Sequence, residues 1–301
     1  MIFTTPRSGS TWLMELVTSQ PGFKHCNEPL NLRHPDVRRG IGLGDWPALY
    51  SREADARVEA YFTDLASGRL KTLNPSPRDR THRFRTTRTV FKVLHGGEER
   101  IQRIADAVNG RVIVLLRHPI PVSLSREVLP RLETFLESDF AGFFDEGERV
   151  YARRILSEGT TLDRGVLDWT LQNAVPLRAR EPDWLFVTYE QLVLDPRPIL
   201  DRLVEHLALA DPARLYNGLD VPSHTVKKSD AETSELLHGN VDEEKRAREL
   251  VGRWRRRVDA GEEARAMAVL ERFGVDVYRA GRVLPTDAYW IGDPSAEIGG
   301  L

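Results

Sequence analysis

The stretch TTPRSGSTWLMEL (residues 4–16) follows Ile2 and Phe3 and has the build of a strand, a tight turn and a helix. The β-branched, apolar start reads as a short strand, Pro6 ends it, and Ser8, Gly9, Ser10 and Thr11 supply a run of small residues. Trp12, Leu13, Leu16 and Val17 then fall on one side of a helix. Gly9 permits the turn, and its small neighbours let backbone N–H groups approach an anion. The helix aims its positive end at the same spot, and Arg7 adds a full charge. The GK[ST] ending of a triphosphatase loop is missing, and the cation stands before the glycine rather than after it. A merely capped strand-to-helix turn would also use Ser and Thr, which are common caps.

Working outward, four β-like runs recur at Ile2–Thr5, Thr89–Leu94, Arg111–Leu116 and Trp184–Thr188. Helical spacing separates them, as in Ile101, Ile104, Ala105 and Val108, and again in Ile199, Leu200, Leu203, Val204 and Leu207. Strands alternating with helices predict an α/β fold, a mostly parallel central sheet flanked by helices on both faces. Ligands of such sheets bind beyond the carboxyl ends of the strands, so the residues after each strand are the candidates. No repeat or linker breaks the pattern, which predicts one domain over residues 1–301, with an irregular Gly- and Pro-containing tail at 282–301.

The 301 residues include 41% hydrophobic and 29% charged side chains, enough apolar material for a core. A formal net charge of −2 favours neither a nucleic-acid nor a membrane partner, so any anion site is local. The single cysteine, Cys26, excludes an internal disulfide and a cysteine metal cluster. With no run long enough to span a membrane and no visible signal peptide, a soluble cytoplasmic protein is expected.

The third run ends in LLRHPIPVSLSR (115–126). A Walker-type enzyme needs a carboxylate near such a strand end to hold magnesium. Here Arg117 takes that place, with Ser125 and Arg126 expected to open the next helix. Together with the first loop, this gathers cations and hydroxyls around a highly anionic ligand held without a metal.

These two motifs together resemble the sulfotransferase superfamily that uses 3′-phosphoadenosine-5′-phosphosulfate (PAPS). TTPRSGSTWL is similar to its 5′-phosphosulfate loop. RHPIPVSLSR is similar to its 3′-phosphate motif, in which an Arg is followed eight positions later by a Ser. PRSGST and NEPL are closest in wording to the carbohydrate 6-O-sulfotransferase branch and its bacterial relatives. VTYEQLVLDP (187–196) and LERFGVDVY (270–278) are weaker echoes that extend the likeness over most of the chain. The resemblance implies a P-loop-like three-layer fold, PAPS as sulfuryl donor with PAP as product, and transfer to a hydroxyl or, less favourably, an amine. Carried over by position, Arg7, Ser8, Gly9, Ser10, Thr11 and Trp12 would hold the phosphosulfate, Arg117 and Ser125 the 3′-phosphate, and Tyr189 the adenine. Arg7 stands where the family often has lysine; an arginine cannot give up its proton, so its help would be by charge and hydrogen bonds. The family's RKG wording is absent from SHTVKKSD (223–230), where Thr225, Lys227 and Lys228 stand.

A base must also take the acceptor's proton. Glu28 in CNEPLN matches the acidic residue of the EP element, and His95 follows the second β-like run in FKVLHGG; His25 is a third, weaker candidate. An imidazole suits base work near neutral pH. Glu28 is preferred over His95, against the alternative of a loop acid paired with Arg33 or Arg38. Lys92 either faces the site or lays its stem along apolar surface. The acceptor is read as a small glycan, glycolipid or specialised metabolite, handled by an acceptor-side insertion at 33–88 in which Trp46, Tyr50, Tyr61 and Phe62 are candidate platforms. The arginine-rich stretch 74–89 reads as a mobile basic loop, and its part at 78–88 would favour an acceptor already bearing phosphate or sulfate. RWRRRV (253–258) reads as a helix with a solvated basic face. Two rivals remain: a P-loop kinase or NTPase, and a non-catalytic anion- or RNA-binding module.

Overall fold

The computed structural model describes residues 1–70, 86–219, 242–293 and the isolated positions 221, 223, 235 and 236. Five strands, β1 (Ile2–Thr4), β2 (Phe23–Asn27), β3 (Arg88–Val93), β4 (Ile113–Leu116) and β5 (Leu185–Thr188), form one sheet in the order β2-β3-β1-β4-β5. Every pairing is parallel, with Phe3 opposite Val93 on one side and Val114 on the other. The α/β expectation is therefore met.

Alternation along the strands explains the layers, because successive side chains leave opposite faces of a sheet. Ile2, Val90, Ile113, Leu115, Leu185 and Val187 pack on one face, against Leu13, Met14, Leu16 and Val17 of α1 (Ser10–Thr18). Phe3, Phe91, Val93, Val112, Val114 and Leu116 pack on the other. That second face is covered by helices from later in the chain. They include α2 (Pro35–Ile41), α3 (Trp46–Leu49) and α4 (Asp55–Ser67), which lie in the segment expected to serve the acceptor. α5 (Ile101–Ala107), α6 (Pro119–Ser123), α7 (Arg131–Leu136), α8 (Glu146–Glu158) and the long α9 (Thr161–Ala179) follow. α9 is buried along most of its length, and Gly165 lets α6 approach it: a Cβ there would stand 2.6 Å from that of Ser123. α10 (Tyr189–Leu194), α11 (Pro196–Leu207) and α12 (Pro212–Asn217) follow β5, and Ile199, Leu200, Leu203 and Leu215 join the α1 face. α13 (Glu243–Gly252) and α14 (Ala260–Arg272) complete the described helices.

Three local expectations are corrected. β2, FKHCN, was not among the expected strands, since its polar residues interrupt the apolar run; it lies at the sheet edge, paired along its length with β3. Ser125 and Arg126 do not open a helix. α6 starts earlier, where Pro119 occupies the first turn and the His118 ring accepts the Ile120 N–H at 3.3 Å, and it has ended before Ser125. RWRRRV is a short 3₁₀ turn over Arg253–Arg256 that buries Trp254 and exposes Arg255 and Arg256.

Strand order locates the functional edge. After β1 the chain moves toward β2, and after β4 it moves the opposite way to β5. Adjacent strands whose exits diverge leave a crevice at their carboxyl ends. That crevice lies between the loop at Thr5–Gly9 and the turn at Arg117–His118. Among the described residues no helix is long and apolar enough to cross a membrane.

Candidate functional site

The loop after β1 is built by its own side chains. Thr4 Oγ1 donates to Leu115 O at 2.8 Å, locking the end of β1 to β4, and the Thr5 and Ser8 hydroxyls bond each other at 2.8 Å. Arg7 and Gly9 both take left-handed backbone, with φ of 70° and 81°. Gly9 caps α1 without a side chain, so the first N–H groups of the helix, at Ser10, Thr11 and Trp12, have no intrahelical acceptor and face the crevice edge. Ser8 is buried and its hydroxyl shapes the turn, whereas the Arg7 side chain is exposed.

Arg117 crosses the crevice. Its Nη1 donates to the carbonyl of Arg7 at 2.8 Å, and its guanidinium lies 4.1 Å from the centroid of the Tyr189 ring. Arg117 Nε is buried without a partner among the described residues. Tyr189 lies against Gly9, close enough that a Cβ on Gly9 would meet its Cδ2 at 2.6 Å. The loop, Tyr189 and Arg117 thus form a stack, and Tyr189 is a brace between backbone and guanidinium. Ser125 is exposed and donates to Val122 O at 2.9 Å.

Lys92 is the residue that sequence left open. It is 3% exposed on the inner stretch of β3, and its Nζ donates to Thr11 Oγ1 at 3.0 Å, in the first turn of α1. Across from it, Glu28 Oε1 lies 3.5 Å from Nζ, and Glu28 Oε2 accepts from Asn31 Nδ2 at 2.8 Å. The Glu28 N–H bonds Lys92 O at 2.9 Å, and Glu28 holds a φ of 53°, uncommon for a side chain of its size. Burial lowers the Lys92 pKa from the ordinary lysine value, and the Glu28 carboxylate opposes that shift. Glu28 is paired with Lys92 and Asn31, where the alternative reading had a loop acid paired with Arg33 or Arg38.

His95 stands just beyond the end of β3, in other company. Arg131 Nη1 lies 2.6 Å from its Nε2, and Trp46 meets the ring edge-on at 6.0 Å. Burial, with the charges of Arg131, Arg126 and Arg33, drives its pKa well below the usual histidine value, so the ring is neutral and accepts from Arg131. Below it, Arg126 pairs with Asp168, both buried. Of the four aromatic platforms expected, Tyr50, Tyr61 and Phe62 belong to the core, and Trp46 alone is partly exposed beside the site. Arg100 ties this region together, donating to Leu49 O at 2.7 Å and to Gly96 O at 2.9 Å. Thr225, Lys227, Lys228 and residues 74–85 of the basic loop lie outside the described residues.

Glu98, 1% exposed, is pushed up to about 7 by burial, which outweighs the nearby Arg100 charge. A carboxyl held above its ordinary 4.5 keeps a proton in the folded chain that the unfolded chain has lost. Stability therefore falls as pH rises from about 4.5 to about 7 and stays lower above that window, by on the order of 3 kcal/mol. Glu98→Gln is expected to remove this slope: thermal unfolding at about pH 8 should show the variant more stable than wild type, and at about pH 5 the two should match. Parallel pH profiles for the two proteins would refute the assignment.

No protein-family model matches the chain, and no curated protein matches its sequence. Among solved structures the chain is similar to a sulfotransferase domain from the curacin biosynthetic pathway, at 18% identity and a TM-score of 0.49, over 91% of this chain and 96% of that one. A second is a sulfotransferase domain from the Synechococcus PCC 7002 olefin synthase, at 18% identity and a TM-score of 0.45, over 92% of this chain and 94% of that one. Neither is described as a carbohydrate sulfotransferase. At such identity a similar chain path leaves open which residues act, and function has to be argued from the side chains.

Proposed function

We propose that the protein is a PAPS-dependent sulfotransferase acting on a hydroxyl of a small glycan, glycolipid or specialised metabolite. The observation that carries this reading is Lys92: a buried ammonium that reaches the first turn of α1 beside the loop after β1. Burying a cation is costly unless an anion compensates it, and Glu28, at 3.5 Å and partly exposed, compensates it incompletely. The unpartnered Arg117 Nε and the free first-turn N–H groups add donors with the same demand. Such a donor set fits a ligand with anionic groups at two ends, as the 5′-phosphosulfate and 3′-phosphate of PAPS provide.

When bound, PAPS supplies an activated sulfuryl group whose departure leaves charge on a phosphate. The chain's part is electrostatic and positional. The N–H groups of Ser10, Thr11 and Trp12, with Lys92, offset charge developing at the leaving oxygen. Arg117, braced by Tyr189, takes the 3′-phosphate, with Ser125 beyond α6 as a second contact; Arg7 meets the ligand from solvent. Glu28 is the base: its carboxylate is partly exposed and is oriented by Lys92 and Asn31. His95 is less suited, because its nitrogen already accepts from Arg131, and it lines the acceptor side with Trp46.

Calorimetry without magnesium tests the reading. Adenosine 3′,5′-bisphosphate is expected to bind at least about ten-fold more tightly than 5′-AMP, since one charge-assisted phosphate contact is worth that much. Equal or absent binding of the two would overturn the assignment. Magnesium-dependent ATP binding would instead indicate a kinase or NTPase, and salt-sensitive polynucleotide binding an RNA-binding module.

A further inference from the structure

Beneath the Arg117–Tyr189 stack lies a buried carboxylate with no part in the chemistry above. Glu190 follows Tyr189 in α10 and is 1% exposed. Its Oε1 accepts from the backbone N–H of His118 at 2.9 Å, and its Oε2 from the hydroxyl of Tyr278 at 2.7 Å. His118 is the residue after Arg117 and is fully buried, its ring 4.6 Å from that of Trp254 and 4.9 Å from that of Tyr278. One carboxylate therefore holds the turn after β4 at the neighbour of Arg117, while its own neighbour, Tyr189, stacks under the Arg117 guanidinium and over Gly9.

The exits of β4 and β5 have left the sheet ladder, so nothing in their backbone pairing fixes one against the other. A buried N–H needs an acceptor, but a neutral carbonyl would satisfy it at less desolvation cost than a carboxylate. What the carboxylate adds is two acceptors in one rigid plane, reaching two elements at once.

We propose that Glu190 is a positioning residue of the anion site: through His118 and Tyr278 it sets Arg117 and Tyr189 against each other and ties them to the segment after α14. The identity of the anion rests on the sulfotransferase reading, whereas the positioning itself does not. Charge alone predicts the opposite of positioning, because a carboxylate near Arg117 weakens attraction for an anion.

Glu190→Asp separates the two effects, keeping the charge while withdrawing the carboxylate by one methylene so that it no longer reaches both donors. Tyr278→Phe is a milder second variant that removes the outer link alone. Thermal unfolding confirms that each variant is folded. In the nucleotide-free protein, the Arg117 Nε–H signal, assigned by its loss in Arg117→Ala, should shift in both variants. Affinity for adenosine 3′,5′-bisphosphate should fall about ten-fold in Glu190→Asp, with that for 5′-AMP changing less than about two-fold. An unmoved Arg117 signal with wild-type affinity in the folded variants would overturn the proposal, as would equal loss of both nucleotides. If the wild type shows no bisphosphate preference but the Arg117 signal still moves, the donor assignment fails and the positioning role stands.

Discussion

Lys92→Met is expected to lower PAPS turnover by roughly 100- to 1,000-fold, the loss typical of removing one preorganised donor at a developing anion. The apolar isostere fits a site that is 3% exposed, so the sheet has no reason to rearrange. Glu28 loses its cation but keeps its bond from Asn31, and at 26% side-chain exposure it can hydrate. Breaking a buried pair is costly when the remaining charge stays buried, and hydration of Glu28 removes that penalty here. The expected pattern is thus a normal melting temperature with turnover lost, measured as PAP release from PAPS with and without candidate acceptors. Lys92→Arg should not rescue, because a planar guanidinium cannot occupy the space of a compact ammonium against Thr11. The pH dependence has a definite sign. With the Lys92 pKa lowered by burial, activity falls on the alkaline side as the ammonium loses its proton, at a pH below the ordinary lysine value of 10.5. Full turnover in a folded Lys92→Met protein would remove Lys92 from the chemistry.

Gly9→Ala is expected to damage both stability and nucleotide binding. At φ +81° an L-residue costs about 1–2 kcal/mol from backbone sterics alone. The added Cβ would also lie 2.6 Å from Tyr189 Cδ2, and relieving such overpacking costs about 1–3 kcal/mol more. Tyr189 must then move, and the Arg117 guanidinium stacked on it moves too. The bisphosphate preference should therefore be lost, as is also expected for Arg117→Ala. Gly68→Ala supplies the control: its φ is +74°, but nothing lies within 4 Å of the added Cβ. It should show the backbone cost, about 1–2 kcal/mol, with unchanged nucleotide affinity. Thermal unfolding and calorimetry on the pair decide the matter. If the two variants behave alike, the Tyr189 contact carries no weight.

The first loop was legible because its chemistry is local. A strand, a glycine with small neighbours and an amphipathic helix within sixteen residues specify a turn that exposes N–H groups, and neighbouring residues need no tertiary context to do so. Arg117 was legible for a similar reason, since the end of an apolar run in an α/β chain marks a ligand-facing edge. Lys92 was ambiguous because alternation places a strand residue on a face without saying what covers that face; the approach of Thr11, from a different element, settles where its ammonium points. β2 was missed because FKHCN carries three polar residues, and an edge strand tolerates them. The start of α6 was misjudged because two prolines near Arg117 read as punctuation, whereas Pro119 initiates the helix.

By itself, then, the sequence determined the α/β class, the strand-turn-helix loop and the place of Arg117 at a strand end, and it offered three candidate bases. These follow from periodicity and from residue types set a few positions apart. The tertiary structure alone decided which groups meet: Lys92 with Thr11 and Glu28, Tyr189 between Gly9 and Arg117, His95 with Arg131, and Glu190 with His118 and Tyr278. Those partners stand up to 180 positions apart in the chain, from Gly9 to Tyr189. Local spacing carries no record of such separations; the parallel sheet brings them together by aligning its strand exits at one edge.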